Sequence, residues 1–124
     1  MNPPPIYVVD DDPAVLHSLC FLLETEGHAV EAFGSGPELL AAFPGPTPAC
    51  MILDYVMPGM DGLEVFARLQ ELAVHAPAVL ITGHPDARIR TRAREVGLPL
   101  VEKPLTFDAF LATLAQDVGL SPRA

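Results

Sequence analysis

Short apolar runs that stop at a polar residue alternate along the chain with longer stretches whose apolar positions recur at helical spacing. Ile6-Tyr7-Val8-Val9 is continuously apolar and ends abruptly in Asp10-Asp11-Asp12. Pro13 follows, a residue favoured in the first turn of a helix, with Asp12 placed as its N-cap. Val15, Leu19, Leu22 and Leu23 then recur at i, i+4, i+7 and i+8, and Gly27 closes that helix. The same rhythm predicts a strand over Ala29–Phe33 and a short helix over Gly36–Phe43 that carries Leu39, Leu40 and Phe43 inward. A Pro/Gly loop spans 44–48, and the buried strand Cys50–Leu53 again stops at an acid, Asp54. A helix over Gly62–Leu72 turns Leu63, Phe66, Ala67 and Leu69 inward, and the strand Ala78–Ile81 ends at Thr82-Gly83. Last come a helix over Asp86–Val96, a strand over Leu98–Val101 ending near Lys103-Pro104, and a helix over Thr106–Val118.

Continuous apolar strands alternating with helices imply a parallel sheet buried on both faces. Right-handed crossovers distribute the helices over both faces, giving one doubly wound α/β domain. At 124 residues, half of them hydrophobic, the chain holds a single domain with a core of its own. Cys20 and Cys50 sit in apolar runs and read as core thiols of a reducing compartment rather than as a disulfide or zinc site. The net charge of −9 argues against direct binding of nucleic acid, which demands clustered cations. The first residues, Met1-Asn2-Pro3-Pro4-Pro5, are neither cationic nor a long apolar run, and every apolar stretch is strand-sized. The expectation is a cytoplasmic domain without signal peptide or membrane span.

In an open parallel sheet the reactive loops lie beyond the carboxyl ends of the strands. There the chain places Asp10 and Asp11, Asp54, Thr82 and Lys103. Carboxylates gathered at adjacent strand ends repel one another unless a cation neutralises them. Oxygen ligands with room for water suit Mg²⁺ better than zinc or an all-protein calcium cage. Taken alone, an acid run before a helix is more often a cap than a metal site, and that reading accounts for Asp12. It leaves unexplained why Asp54 also ends a buried strand. Lys103 is the only lysine in the chain, and an ammonium there can pair with a carboxylate and with a phosphoryl oxygen.

The segments Val8-Val9-Asp10-Asp11-Asp12, Asp54-Tyr55-Val56-Met57-Pro58-Gly59-Met60-Asp61-Gly62, Ile81-Thr82-Gly83 and Val101-Glu102-Lys103-Pro104 together resemble response-regulator receiver domains, in order and with that family's spacing. The Ile-Thr-Gly-His form is similar to receivers that precede helix-turn-helix output domains. The resemblance implies a flavodoxin-like (βα)5 fold with strand order 2-1-3-4-5 and a core over about 5–118. It also implies a two-component signalling switch, not an enzyme, that takes a phosphoryl group on Asp54 from a histidine kinase or phosphotransfer protein. By the same resemblance Asp10, Asp11, Asp54 and the backbone carbonyl of Val56 hold Mg²⁺, Asp10 acting largely through water, while Lys103 and Thr82 contact the phosphoryl group. Asp11/Asp12 is the other register for the working acids; Asp10/Asp11 is preferred because these directly follow the apolar strand. Two other readings stand beside the switch. One is a Mg²⁺-dependent phosphatase with an aspartyl nucleophile, which lacks an evident acid/base residue and cap. The other is a degenerate receiver acting by binding alone.

The chain departs from the family pattern at Leu100, where relatives carry an aromatic switch residue three positions before the lysine. Four of six arginines, Arg88, Arg90, Arg92 and Arg94, lie on the fourth helix, with Ile89, Ala93 and Val96 between them facing the core. They form either a solvated helix surface or a partner surface, with a second copy or an output domain meeting helix 4, strand 5 and helix 5. The sequence runs out after the last helix without an output domain, which fits a stand-alone regulator or a receiver from a longer protein.

Overall fold

The computed structural model describes residues 4–83, 86–103 and 112–115. Its elements in chain order are β1 (Ile6–Val9), α1 (Pro13–Thr25), β2 (Val30–Phe33), α2 (Gly36–Leu40) and β3 (Cys50–Asp54). They are followed by α3 (Gly62–Glu71), β4 (Ala78–Thr82), α4 (Ala87–Val96) and β5 (Leu100–Glu102). All strand pairs are parallel, in the order β2-β1-β3-β4-β5. Most of the helix expected over Thr106–Val118 lies outside the described residues; 112–115 within it are helical.

Successive side chains on a strand point to opposite faces, and here that alternation divides the core in two. Tyr7, Val9, Met51, Leu53, Ala78 and Leu80 face one way, against Leu39 of α2, Leu63, Val65 and Leu69 of α3, and Ile89 and Ala93 of α4. Ile6, Val8, Cys50, Ile52, Val79 and Ile81 face the other way, against Leu19 and Leu23 of α1 and Leu114. Each fully buried Leu or Ile contributes about 1.5–3 kcal/mol of favourable transfer from water.

Helix ends are set by local chemistry. The Asp12 carboxylate accepts from the Ala14 N–H at 2.9 Å with Pro13 in the first turn, as the sequence predicts. At the far end Gly27 takes φ +88°, so that the N–H of His28 donates to Leu23 O and that of Gly27 to Glu24 O. Asp61 and Glu64 cap α3 reciprocally. Behind that cap, a Cβ at Gly62 would lie 2.6 Å from the backbone oxygen of Asp54, so only glycine lets α3 start this close to the end of β3.

The structure moves several expected boundaries. The third and fourth strands extend through Asp54 and Thr82, and the fifth runs over Leu100–Glu102 rather than Leu98–Val101. Gly97 takes φ +75° and the Leu98 N–H donates to Ala93 O, so 97–98 finish α4 before the strand begins. Helix α2 ends at Leu40, with Phe43 still packed on the core. In α3 Leu63 and Leu69 turn inward as expected and Phe66 packs on the core half-buried, but Val65 joins them and Ala67 is exposed. In α4 Val96 is exposed, leaving Ile89 and Ala93 to make the contact.

Candidate functional site

Alternation decides which strand-end side chains meet. Asp10 continues the α1-facing set of β1 (Ile6, Val8), Asp54 that of β3 (Cys50, Ile52), and Lys103 follows Val101 in β5. All three therefore turn the same way at the same edge. Asp10 is 1 % exposed and Asp54 3 %. The Lys103 ammonium donates to Asp10 Oδ2 at 3.0 Å and stands 3.4 Å from Asp54 Oδ1. The second Asp10 oxygen accepts from the Asp12 N–H at 2.9 Å. Carboxylate oxygens of Asp10, Asp11 and Asp54 lie within 4.8 Å of one another, Asp11 being the exposed member.

One ammonium does not balance these acids. Burial, reinforced by the Asp10 carboxylate, pushes the Asp54 carboxyl up to about 7 against a smaller downward pull from Lys103. Burial alone would lower the Lys103 pKa; the hydrogen bond to Asp10 and the charges of Asp54 and Asp10 outweigh it, so the net shift is upward and the ammonium is retained. The three carboxylates offer oxygen donors only, with one side open to solvent at Asp11. That donor set fits a hard divalent cation that keeps part of its water, as Mg²⁺ does. The cleft beside them, about 290 Å³, is lined among the described residues by Asp10, Asp11, Asp12, Asp54, Val56, Gly83 and Lys103.

Residues 6–115 match the family model of the response regulator receiver domain. The chain belongs to that family.

This receiver domain is 36 % identical over 110 residues to transcriptional regulatory protein FixJ of Bradyrhizobium diazoefficiens, covering 88 % of the chain and 54 % of FixJ. It is 34 % identical over 119 residues to response regulator protein TodT of Pseudomonas putida, covering 95 % of the chain and 52 % of TodT. Among solved structures, a response regulator receiver protein from Burkholderia phymatum superposes with a TM-score of 0.81 at 35 % identity, over 98 % of this chain and 99 % of that one. The receiver domain thus spans about half the length of the curated relatives it matches.

The remaining expected residues are distributed as follows. Thr82 is fully buried, and alternation from Ala78 and Leu80 turns it toward the α3–α4 face, away from the Asp10–Asp54 side. Its carbonyl accepts from the Lys103 N–H at 2.6 Å, tying the two strand ends together. Val56 lines the cleft and is 44 % exposed. Leu100 is half-buried and stands apart from the acids, beside α4 with Arg90, Arg94 and Leu98. His84, which the sequence sets beside the site together with Tyr55, lies outside the described residues. Cys20 and Cys50 are both free; Cys50 is fully buried, and burial pushes its thiol up to about 12. Among the described residues no helix is long and apolar enough to cross a membrane.

The structure sorts the arginines, which the sequence presented as one set. Arg90 donates through Nε and Nη2 to Glu102 Oε1, at 3.0 and 2.8 Å. The Arg92 guanidinium stands 5.8 Å over the ring of Tyr55. Among the described residues Arg88 and Arg94 make no ion pair. Sequence reasoning set Tyr55 beside the site but passed over Glu102. The available signal for Glu102 was its position, one step before Lys103.

Proposed function

We propose that this receiver domain is a two-component phosphorylation switch in which Asp54 takes a phosphoryl group from a histidine kinase or phosphotransfer protein. The observation that carries the reading is the convergence of Asp54, Asp10 and Lys103 from three strand ends onto one solvent-accessible cleft. A buried carboxylate with an ammonium at 3.4 Å and an open side is a nucleophile with a fixed approach direction.

An Asp54 oxygen attacks phosphorus in line as the bond to the donor imidazole breaks. The imidazole keeps that electron pair and takes a proton, and the phosphoryl group ends as an acyl phosphate on Asp54. Asp10, Asp11, Asp54 and the Val56 carbonyl are the residues that would hold Mg²⁺. Bound there, it supplies positive charge to the carboxylates and to the transferring phosphoryl oxygens. Lys103 follows the charge by electrostatics, its ammonium already poised between Asp10 and Asp54. Thr82, at the end of β4, turns its hydroxyl to the new phosphoryl oxygen, and the start of α4 adjusts with it.

Intact-mass analysis after incubation with acetyl phosphate and Mg²⁺ tests the reading. One added phosphoryl group, absent with EDTA, is the expected result. Steady consumption of the donor without an adduct would favour a hydrolase. Folded protein that neither gains a group nor consumes donor would mark a receiver that works by binding alone.

A further inference from the structure

Helix α4 contacts the two strand ends that carry Asp54 and Lys103, and it does so through one arginine on each flank. Arg90 and Arg92 are two positions apart, about 200° around the helix, so they reach in opposite directions. Arg92 reaches β3 and caps the ring of Tyr55, the residue after Asp54. Tyr55 is 7 % exposed, and its backbone N–H donates to Ile81 O at 2.7 Å while its carbonyl accepts from Gly62 N–H at 3.1 Å. Arg90 reaches β5 and grips Glu102, the residue before Lys103. Alternation explains the arrangement. Where one strand-end residue turns into the cleft, its neighbour turns toward α4 on the opposite face.

We infer that α4 braces the phosphoryl site from the opposite face of the sheet, with Arg90 and Arg92 as positioning residues that fix Lys103 relative to Asp54. The inference rests on Asp54 being the phosphoacceptor. Its physical content is the separation between the Lys103 ammonium and the Asp54 carboxylate, 3.4 Å, which sets how much of the developing charge the ammonium can meet. The Arg90–Glu102 clamp adds little to stability: its side chains are 48 % and 43 % exposed, in the range where ion pairs contribute little. Its loss should therefore appear in rate, with the thermal midpoint almost unmoved.

The test measures the rate of phosphoryl uptake from acetyl phosphate with Mg²⁺ by intact mass, with circular dichroism and thermal midpoints on every variant. Arg90→Glu, which sets two carboxylates against each other, should slow uptake about fivefold, and adding Glu102→Arg should restore it to within about twofold. Arg92→Gln and Tyr55→Leu should each slow it about threefold, and the double variant no more than the slower single. Arg68→Gln on α3, which removes the same charge elsewhere, should react at the native rate. Native rates in folded Arg90→Glu and Arg92→Gln, or a charge swap that restores nothing, would overturn the brace while leaving Asp54 as acceptor. Failure of the native protein itself to take up a phosphoryl group would overturn the acceptor reading and the brace with it.

Discussion

Val8, Ile52 and Leu80 lie at zero exposure in the body of the sheet; two residues further along the same strands, Asp10, Asp54 and Thr82 are buried almost as completely. Asp54 and Thr82 end their strands and Asp10 stands one residue past β1, and the side-chain direction is the same, since two positions restore it. The physics is opposite. The strand bodies stabilise the fold by removing apolar surface from water. The strand ends place acids where desolvation and mutual repulsion work against them, relieved in part by Lys103. If Asp54 is the acceptor, stability and chemistry are separated along these strands by one period of the pleat, and substitutions two residues apart should have different consequences.

The largest effect expected is at the ends. Asp54→Asn should abolish phosphoryl uptake in the mass assay while leaving the thermal midpoint of the metal-free protein equal to or above the native value, because it removes a carboxylate that repels Asp10. A large loss of stability in that variant would break the contrast. In the bodies, Ile52→Ala should cost about 2–5 kcal/mol in a denaturant titration, through lost burial and the cavity left behind. The fraction that remains folded should still take up the phosphoryl group.

A smaller effect belongs to pH. Folded, the metal-free Asp54 carboxyl holds its proton up to about 7, against a usual 3.8. Between those values the folded state binds the extra proton, so this group's contribution to stability falls as pH rises through the window. Thermal midpoints of native protein and Asp54→Asn should diverge in the variant's favour from the bottom to the top of that range. Mg²⁺ at neutral pH should narrow the gap by stabilising the native protein. A gap independent of pH would place the repulsion elsewhere.

The smallest effect separates neighbouring acids. Asp12 caps α1, and Asp12→Ala should cost about 1 kcal/mol of stability. Mg²⁺ affinity by calorimetry should stay within about twofold. Asp11→Ala should do the reverse, weakening Mg²⁺ about tenfold or more with little change in stability of the metal-free protein. Equal losses of affinity in both variants would favour the Asp11/Asp12 register.

These contrasts also explain what could be read from the sequence. Strand bodies were legible because an apolar run that stops at an acid is an abrupt signal; it singled out Asp10 and Asp54, which the structure brings together with Lys103. Strand order rested on the family resemblance, and the observed sheet has that order. In α3 Leu63, Phe66 and Leu69 were read correctly, but Val65 was missed and Ala67 misplaced because the helix rotation is set by the Asp61–Glu64 cap and by the close seat of Gly62 on Asp54, neither of which is a matter of periodicity. The start of β5 was placed two residues early because Gly97 and Leu98 complete the end of α4, a demand of backbone hydrogen bonding rather than of hydropathy. The contacts of Arg90 and Arg92 were invisible for a related reason. They join residues far apart in the chain, and only the pairing of β4 with β5 and the seat of α4 bring them together.

The central claim is that the phosphoryl group resides on Asp54, and site mapping tests it most directly. Protein treated with acetyl phosphate and Mg²⁺ is reduced with borohydride, which converts an acyl phosphate on aspartate to homoserine, then digested and sequenced by tandem mass spectrometry. Homoserine at position 54, dependent on Mg²⁺ and found nowhere else, is the predicted result. Homoserine at another aspartate, or unmodified Asp54 in protein whose intact mass shows the adduct, would contradict the account.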